Sequence, residues 1–238
     1  MYLKRYFTRA WECVCKNGWQ DKYMQCLVDE PQFPSSMAYR ALSGICRKCM
    51  PGVKIHDPVE TFKLEGAVDV WCVKQETYER YLRIFRELQE VGEEIWLYTC
   101  GIPAGHMMNR VTDMPLTVSR MPFWMCCKYD AKGFLHWGYH AHNEARNETC
   151  YNTGGGYYPP GNSFVVYIDE KGVTYGVRAH AQRSGAYDAE LFKQLCQREG
   201  GKEQMISLIN RVCRSFVDYD TSAKLFDDVR HELLKILG

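Results

Sequence analysis

Apolar residues recur at helical spacing through residues 2–16 (Leu3, Tyr6, Phe7, Ala10, Trp11, Val14) and stop at Asn17-Gly18, which predicts an amphipathic helix. A short apolar run over 23–28 reads as a strand and ends in Asp29-Glu30-Pro31. Ser35-Ser36 can cap a helix that runs to about Met50 and is closed by Pro51-Gly52. Residues 53–55 and 68–73 read as strands. The pattern Tyr78, Tyr81, Leu82, Phe85, Leu88 predicts one amphipathic helix over 76–91, stopped at Gly92. A strand over 95–98, a mostly helical stretch over 114–128 and a strand over 134–137 follow. Five short apolar strands alternating with helices before residue 140 imply parallel βα units. In such folds the chemistry sits at the C-terminal strand ends and the loops after them. Polar and aromatic residues gather at those positions: Asp29-Glu30, His56-Asp57, Trp71 to Gln75, Tyr98, and Trp137 to Asn143.

The texture changes after residue 142. Residues 143–162 are rich in Gly, Pro and Tyr and read as a long ordered crossing; they include the sequon Asn147-Glu148-Thr149. A strand over 163–168, a turn over 169–172 and helices over 175–195, 203–217 and from Thr221 onward complete the chain. The expected division is therefore 1–142 and 143–238.

Composition narrows the function. The 238 residues carry a formal net charge of +1, with 25% charged and 46% hydrophobic residues, as in ordinary globular proteins. A near-neutral balance with no basic cluster argues against nucleic acid as a partner. No run approaches the ~18 apolar residues of a membrane helix. The first residues have charges spread among the apolar ones and no continuous apolar segment, unlike a signal peptide, so the expected location is the cytoplasm. Twelve scattered cysteines fit reduced thiols, several inside apolar runs. Cys46 and Cys49 form the sole CxxC, and no second pair follows at zinc-finger spacing.

Asp29-Glu30 is the sharpest candidate for chemistry. A carboxylate pair where a chain leaves a strand can supply an acid and a stabiliser of positive charge, the needs of glycosyl transfer. The same tripeptide with Pro31 also suits a solvated turn. Trp71, Trp96, Tyr98, Trp137 and Tyr139 lie in or just after strands, where flat rings pack on sugars or fill a sheet core. Tyr98 and Trp137 are the favoured substrate contacts, with Trp71, His56 and Tyr139 beside them, and Trp96 is assigned to the core. His136, His140 and His142 surround Trp137 but lack companion carboxylates apart from Glu144, so no metal site is expected. Neither a phosphate-binding glycine loop nor a nucleophilic serine elbow is present, and no cofactor is expected.

Several ordered blocks carry a resemblance. The runs Ile95 to Gly101 (IWLYTCG), Asn109 to Pro115 (NRVTDMP), Lys128-Tyr129 and Gly133 to Gly138 (GFLHWG) resemble glycoside hydrolase family 123, and more broadly the domain-of-unknown-function family numbered 4091. Val166-Tyr167, Gly172, Arg178 and Arg183 to Glu190 (RSGAYDAE) are similar to that family's later block. The resemblance implies an α/β fold: a partial (β/α)8 TIM-type barrel, about strands 4–8, followed by a mixed, mainly helical segment. A full barrel takes ~250 residues, so strands 1–3 and the family's upstream β-sandwich would be absent. It also implies β-N-acetylgalactosaminidase activity on a glycan ending in N-acetylhexosamine. In that substrate-assisted scheme the sugar's acetamido oxygen attacks the anomeric carbon. The family's Asp-Glu pair falls on Asp29, which would orient the acetamide, and Glu30, the general acid/base. Tyr98 would bond the acetamide and Trp137 would floor the sugar. The chain departs from the family pattern at Ser184, Tyr187 and Ala189, and at His140 and His142. The alternative is a truncated or inactive carbohydrate-binding half-barrel. Its open edges would call for self-association or a covering upstream segment.

Overall fold

The computed structural model describes residues 2–102, 105–141 and 159–238. The chain packs as two compact units, Met1–Trp96 and Leu97–Gly238. Five parallel strands make one sheet in the order β1-β2-β3-β4-β5, the sequential order of part of a (β/α)8 barrel. The strands are β1 (Met24–Gln25), β2 (Lys54–Val59), β3 (Val70–Lys74), β4 (Glu94–Thr99) and β5 (Gly133–His136).

In the first unit, α1 (Tyr2–Lys16) lies against α2 (Ser36–Cys49), and Phe7, Val14, Tyr39, Cys46 and Met50 are buried. Within β2, Ile55, Asp57 and Val59 are buried while His56 and Pro58 are partly exposed. In β3 every residue is buried, as expected of a strand covered on both faces. The parallel register sets His56 beside Val70 and Asp57 beside Trp71. Asp57 meets Tyr39 of α2, and Trp71 meets Phe85 edge-on at 6.3 Å. One face of the two strands thus looks to the helices, and alternation turns His56, Cys72 and Lys74 to the other.

The helix expected over 76–91 is two pieces, α3 (Gln75–Arg80) and α4 (Leu82–Glu90). Tyr81 leaves the helical region at φ −116°, ψ 31°, and its ring packs edge-on against Phe62 at 5.0 Å. A tertiary ring contact here overrides a good helical pattern.

In the second unit, a 3-10 turn over Leu116–Arg120 leads into α5 (Met121–Tyr129), which ends where Asp130 adopts φ 55°. The strand expected over 163–168 and the turn over 169–172 become an antiparallel hairpin, β6 (Val166–Asp169) and β7 (Gly172–Tyr175). Helix α6 (Val177–Cys196) therefore starts two residues late, and α7 (Gly201–Asn210) stops short of the expected Val217. The Arg214–Asp218 pair and a Cys213–Tyr219 bridge shape the loop that replaces its last turns. The chain ends with α8 (Ala223–Leu237), capped by Ser222. No helix among the described residues is long and apolar enough to cross a membrane.

A buried carboxylate ties this unit together. Asp188 of α6, 1% exposed, accepts from Arg120 Nε at 2.5 Å, Trp124 Nε1 at 2.9 Å and Arg230 Nε at 3.0 Å. Close approach requires glycine one turn earlier: a Cβ on Gly185 would sit 2.5 Å from the Arg120 carbonyl oxygen. Removing one partner of a buried pair strands the other charge. Asp188→Ala is expected to lower stability by about 3–5 kcal/mol, read as a shift in the denaturant midpoint.

Candidate active site

Strand β1 is only two residues long, and β2 explains why. After Met24 and Gln25 pair with Lys54 and Ile55, the next amides turn away from the β2 backbone. The Asp57 carboxylate accepts from Leu27 N at 3.0 Å, Val28 N at 3.2 Å and Cys26 Sγ at 2.7 Å, and from the Tyr39 hydroxyl. Four donors on one carboxylate hold the segment that delivers Asp29 and Glu30 to the end of the sheet. Burial raises the Asp57 carboxyl above its usual range, and these hydrogen bonds oppose the rise. Burial first, then the neighbouring Asp57, pushes the Cys26 thiol up to about 12, so it stays protonated and is no nucleophile at neutral pH.

At the end of that segment Asp29 is exposed and Glu30 partly buried. Glu30 has φ 48°, a left-handed conformation that costs a non-glycine residue about 1–2 kcal/mol. Its Oε1 lies 3.3 Å from Lys74 Nζ, the last residue of β3. Lys74 also pairs, more closely, with Glu60 Oε1 just beyond β2. Glu60 is itself fixed to the Glu30 loop, since its N–H donates to the Pro31 carbonyl at 3.3 Å and its Oε2 accepts from Gln32 Nε2 at 3.2 Å. The result is a half-buried carboxylate at the C-terminal edge of a parallel sheet, with an ammonium in reach. Such a group can give up a proton and hold the charge left behind.

Lys74 fell within the strand-end stretch Trp71 to Gln75 but was given no role from sequence, and Glu60 was not singled out. One signal was available: Lys74 closes an otherwise apolar run, Val68–Val73 apart from Asp69, at a strand's C-terminal end.

The family model described as glycoside hydrolase 123, catalytic domain, matches residues 1–195. The chain belongs to glycoside hydrolase family 123. A solved structure, from work on glycolipid glycan hydrolysis by a family 123 glycoside hydrolase from Clostridium perfringens, is similar with a TM-score of 0.69 at 17% identity. The similarity covers 98% of this chain and 43% of that one, so this chain spans less than half of that protein's length. No curated protein sequence matches it.

The family 123 match takes in all the residues singled out from sequence, in both units. In the first unit Trp71 is a correction: it is fully buried, packed on Phe85 and donating Nε1 to Glu93 at 2.8 Å, so it builds the core and offers no face to a sugar. His56 is half-buried with its ring 5.1 Å from Trp96, and burial lowers its pKa, which keeps it neutral at neutral pH. In the second unit Tyr98 is nearly buried, whereas Trp137 and Tyr139 are 47% and 55% exposed. Trp137 Nε1 donates to Asn162 Oδ1 at 3.1 Å. His142 lies outside the described residues, as do the sequon and the glycine run at 154–156. Among the described residues no cluster of His, Cys, Asp and Glu could hold a metal, and every described cysteine is a free thiol.

The blocks from Asn109 and Arg178 have a common role. Arg178 donates to the carbonyls of Arg110 at 2.9 Å and Phe164 at 3.0 Å, while Arg110 donates to that of Asn162 at 3.1 Å. Burial, then Arg178, lowers Arg110 to about 9. His136 is held well below its usual value by burial, then by these two cations, and stays neutral.

An Asn at position 57 offers one acceptor oxygen to four donors and turns an amide toward the Leu27 and Val28 N–H groups. Asp57→Asn is expected to cost about 2–3 kcal/mol. Because the folded-state pKa of Asp57 is raised, its contribution is full below the unfolded value and falls as pH rises through the folded one. The stability gap between wild type and variant is therefore wider at about pH 4 than at about pH 7. Urea denaturation of both proteins at the two pH values checks the sign.

Proposed function

We propose that the chain carries the catalytic pair of a retaining glycosidase that removes a terminal β-linked N-acetylhexosamine, with N-acetylgalactosamine as the expected sugar. The observation that carries this reading is the Asp29-Glu30 pair itself. It follows a parallel strand, within the family-matched residues, with Glu30 half-buried beside Lys74. Retaining glycosidases of the usual kind use a second carboxylate as nucleophile; the substrate-assisted kind uses the sugar's own acetamide.

In this mechanism Glu30 donates its proton to the glycosidic oxygen as the C1–O bond breaks and its electron pair passes to the leaving alcohol. The acetamido oxygen closes on C1 and forms an oxazolinium ion. Asp29 accepts the acetamide N–H and stabilises the positive charge that develops there. Glu30, now a carboxylate, takes a proton from water as the water attacks C1 and the oxazolinium ring reopens. The β configuration is retained, and Glu30 ends protonated as it began.

Leaving-group chemistry provides the test. Nitrophenolate departs with little protonation, whereas an alkoxide requires it. Glu30→Gln is expected to cut turnover of an alkyl β-N-acetylgalactosaminide by about 10²–10⁴-fold, and of the nitrophenyl glycoside by less. Asp29→Asn is expected to slow both, and to slow an N-trifluoroacetyl substrate further. Wild-type turnover of the alkyl glycoside by Glu30→Gln overturns the acid assignment. Folded wild-type chain that binds N-acetylgalactosamine but turns over neither glycoside overturns the enzyme reading in favour of a sugar-binding module.

A further inference from the structure

We propose that Lys74 is a positioning residue for Glu30 and that Glu60 balances its charge, so that the three groups together set when Glu30 holds its proton. The inference rests on Glu30 being the acid/base and names the device that controls it.

The geometry is specific. Lys74 is among the least exposed charged side chains of its unit, at 9%, and a buried ammonium needs close anionic partners. Glu60, in the tighter contact, and Glu30, at 3.3 Å, are such partners. Glu60 cannot drift away, because its amide and carboxylate are both bonded to the loop immediately after Glu30. Glu30 in turn is in a left-handed backbone conformation that its side-chain contact helps to hold. The cluster therefore links β2, β3 and the Asp29-Glu30 loop at one point.

The neighbouring charges matter as much. The Lys74 ammonium faces the Glu60 and Glu30 carboxylates, with Asp29 adjacent on the loop and Asp57 behind the Leu27–Val28 backbone. Lys74 holds Glu60 in the tighter contact and Glu30 in the longer one, so a change at either partner is felt by Glu30. When the Glu30 proton leaves for the glycosidic oxygen, Lys74 is already in place to receive the new negative charge. An acid that must later act as a base needs both forms within reach, and opposed neighbours supply that.

Opposite pH effects distinguish this from a merely structural contact. The alkaline limb of kcat/KM on the alkyl glycoside reports loss of the acid form in the free enzyme. Glu60→Gln removes the competing anion and leaves Lys74 to act on Glu30 alone, so the limb moves to lower pH, by about 1. Lys74→Met removes the cation and leaves two carboxylates to repel, so the limb moves to higher pH. It also lowers kcat about 10²-fold with little change in KM. Lys74→Arg restores most of that loss. Circular dichroism and a denaturant midpoint certify that each variant folds. If both limbs stay put, or both move the same way, the proposal fails. Loss of all activity in a folded Glu60→Gln variant at every pH also overturns it, by making Glu60 part of the chemistry. Glu30→Gln is the control: if it leaves alkyl-glycoside turnover intact, the acid/base reading falls first. If it abolishes turnover while the limbs above do not move, only the inference about Lys74 and Glu60 falls.

Discussion

The Asp57 carboxylate is the constraint on which the first unit's active edge depends. A parallel sheet would ordinarily satisfy the amides of Leu27 and Val28 with carbonyls of the neighbouring strand. Here a buried side chain on that neighbour takes them, together with the Cys26 thiol and the Tyr39 hydroxyl. Three consequences follow from one group. The edge strand ends after two residues, helix α2 is tied to the sheet through Tyr39, and the chain is released at a fixed point toward Asp29 and Glu30. Burying a carboxylate is expensive, and its raised pKa is the signature of that cost. The four donors it satisfies offset the cost, since a buried donor such as the Tyr39 hydroxyl would otherwise be left unpaired at about 1–3 kcal/mol.

The second unit also gathers its elements on a buried carboxylate. Asp188 draws Arg120, Trp124 and Arg230 onto α6 and so joins α5, α6 and α8 around the rings of Trp124, Phe192 and Phe226. Arg110 and Arg178, both buried, have backbone carbonyls as partners and form no ion pair among the described residues. They fasten the loops around Val111 and residues 161–164 to the unit's interior. Gly185 belongs to this scheme, because α6 can approach the Arg120 carbonyl only where no Cβ intervenes. Arg110, Arg178, Gly185 and Asp188 lie in the blocks through which the chain resembles its family, and the part of the two arginines in the second unit is to hold backbone.

What was legible in the sequence follows from the range of each interaction. The parallel βα order was readable because it depends on local hydrophobic runs, and the five strands lie near the expected positions. The two-residue length of β1 was not, because its cause, Asp57, is about thirty residues away. Trp71 illustrates a different limit: on a strand buried on both faces, periodicity cannot tell the helix-facing side from the other, and a ring suits either. The break at Tyr81 and the hairpin's second strand, β7, were missed because a ring contact with Phe62 and strand pairing with Val166–Asp169 outweigh local pattern. Asp29-Glu30 stood out as adjacent residues. Lys74 and Glu60 did not, because they meet only after three separate segments have folded.

Both units thus spend their buried charges on backbone as much as on one another, and this bears on how a catalytic edge keeps its shape. A surface ion pair is weakened by salt and by the entropy of two long side chains, and it holds little. A buried charge bonded to amides or carbonyls is shielded from salt and fixes a stretch of main chain, because the partner groups are part of that chain. Loops carry function when a rigid scaffold positions them, and here the scaffold reaches into the loops through side chains. Asp57 does so for residues 26–28, and Arg110 and Arg178 do so around 162–164. Glu30 is the exception that fits the logic. Its carboxylate pairs with another titratable side chain, Lys74, which Glu60 also holds, so it can change charge while the main chain beneath it stays where Asp57 has set it.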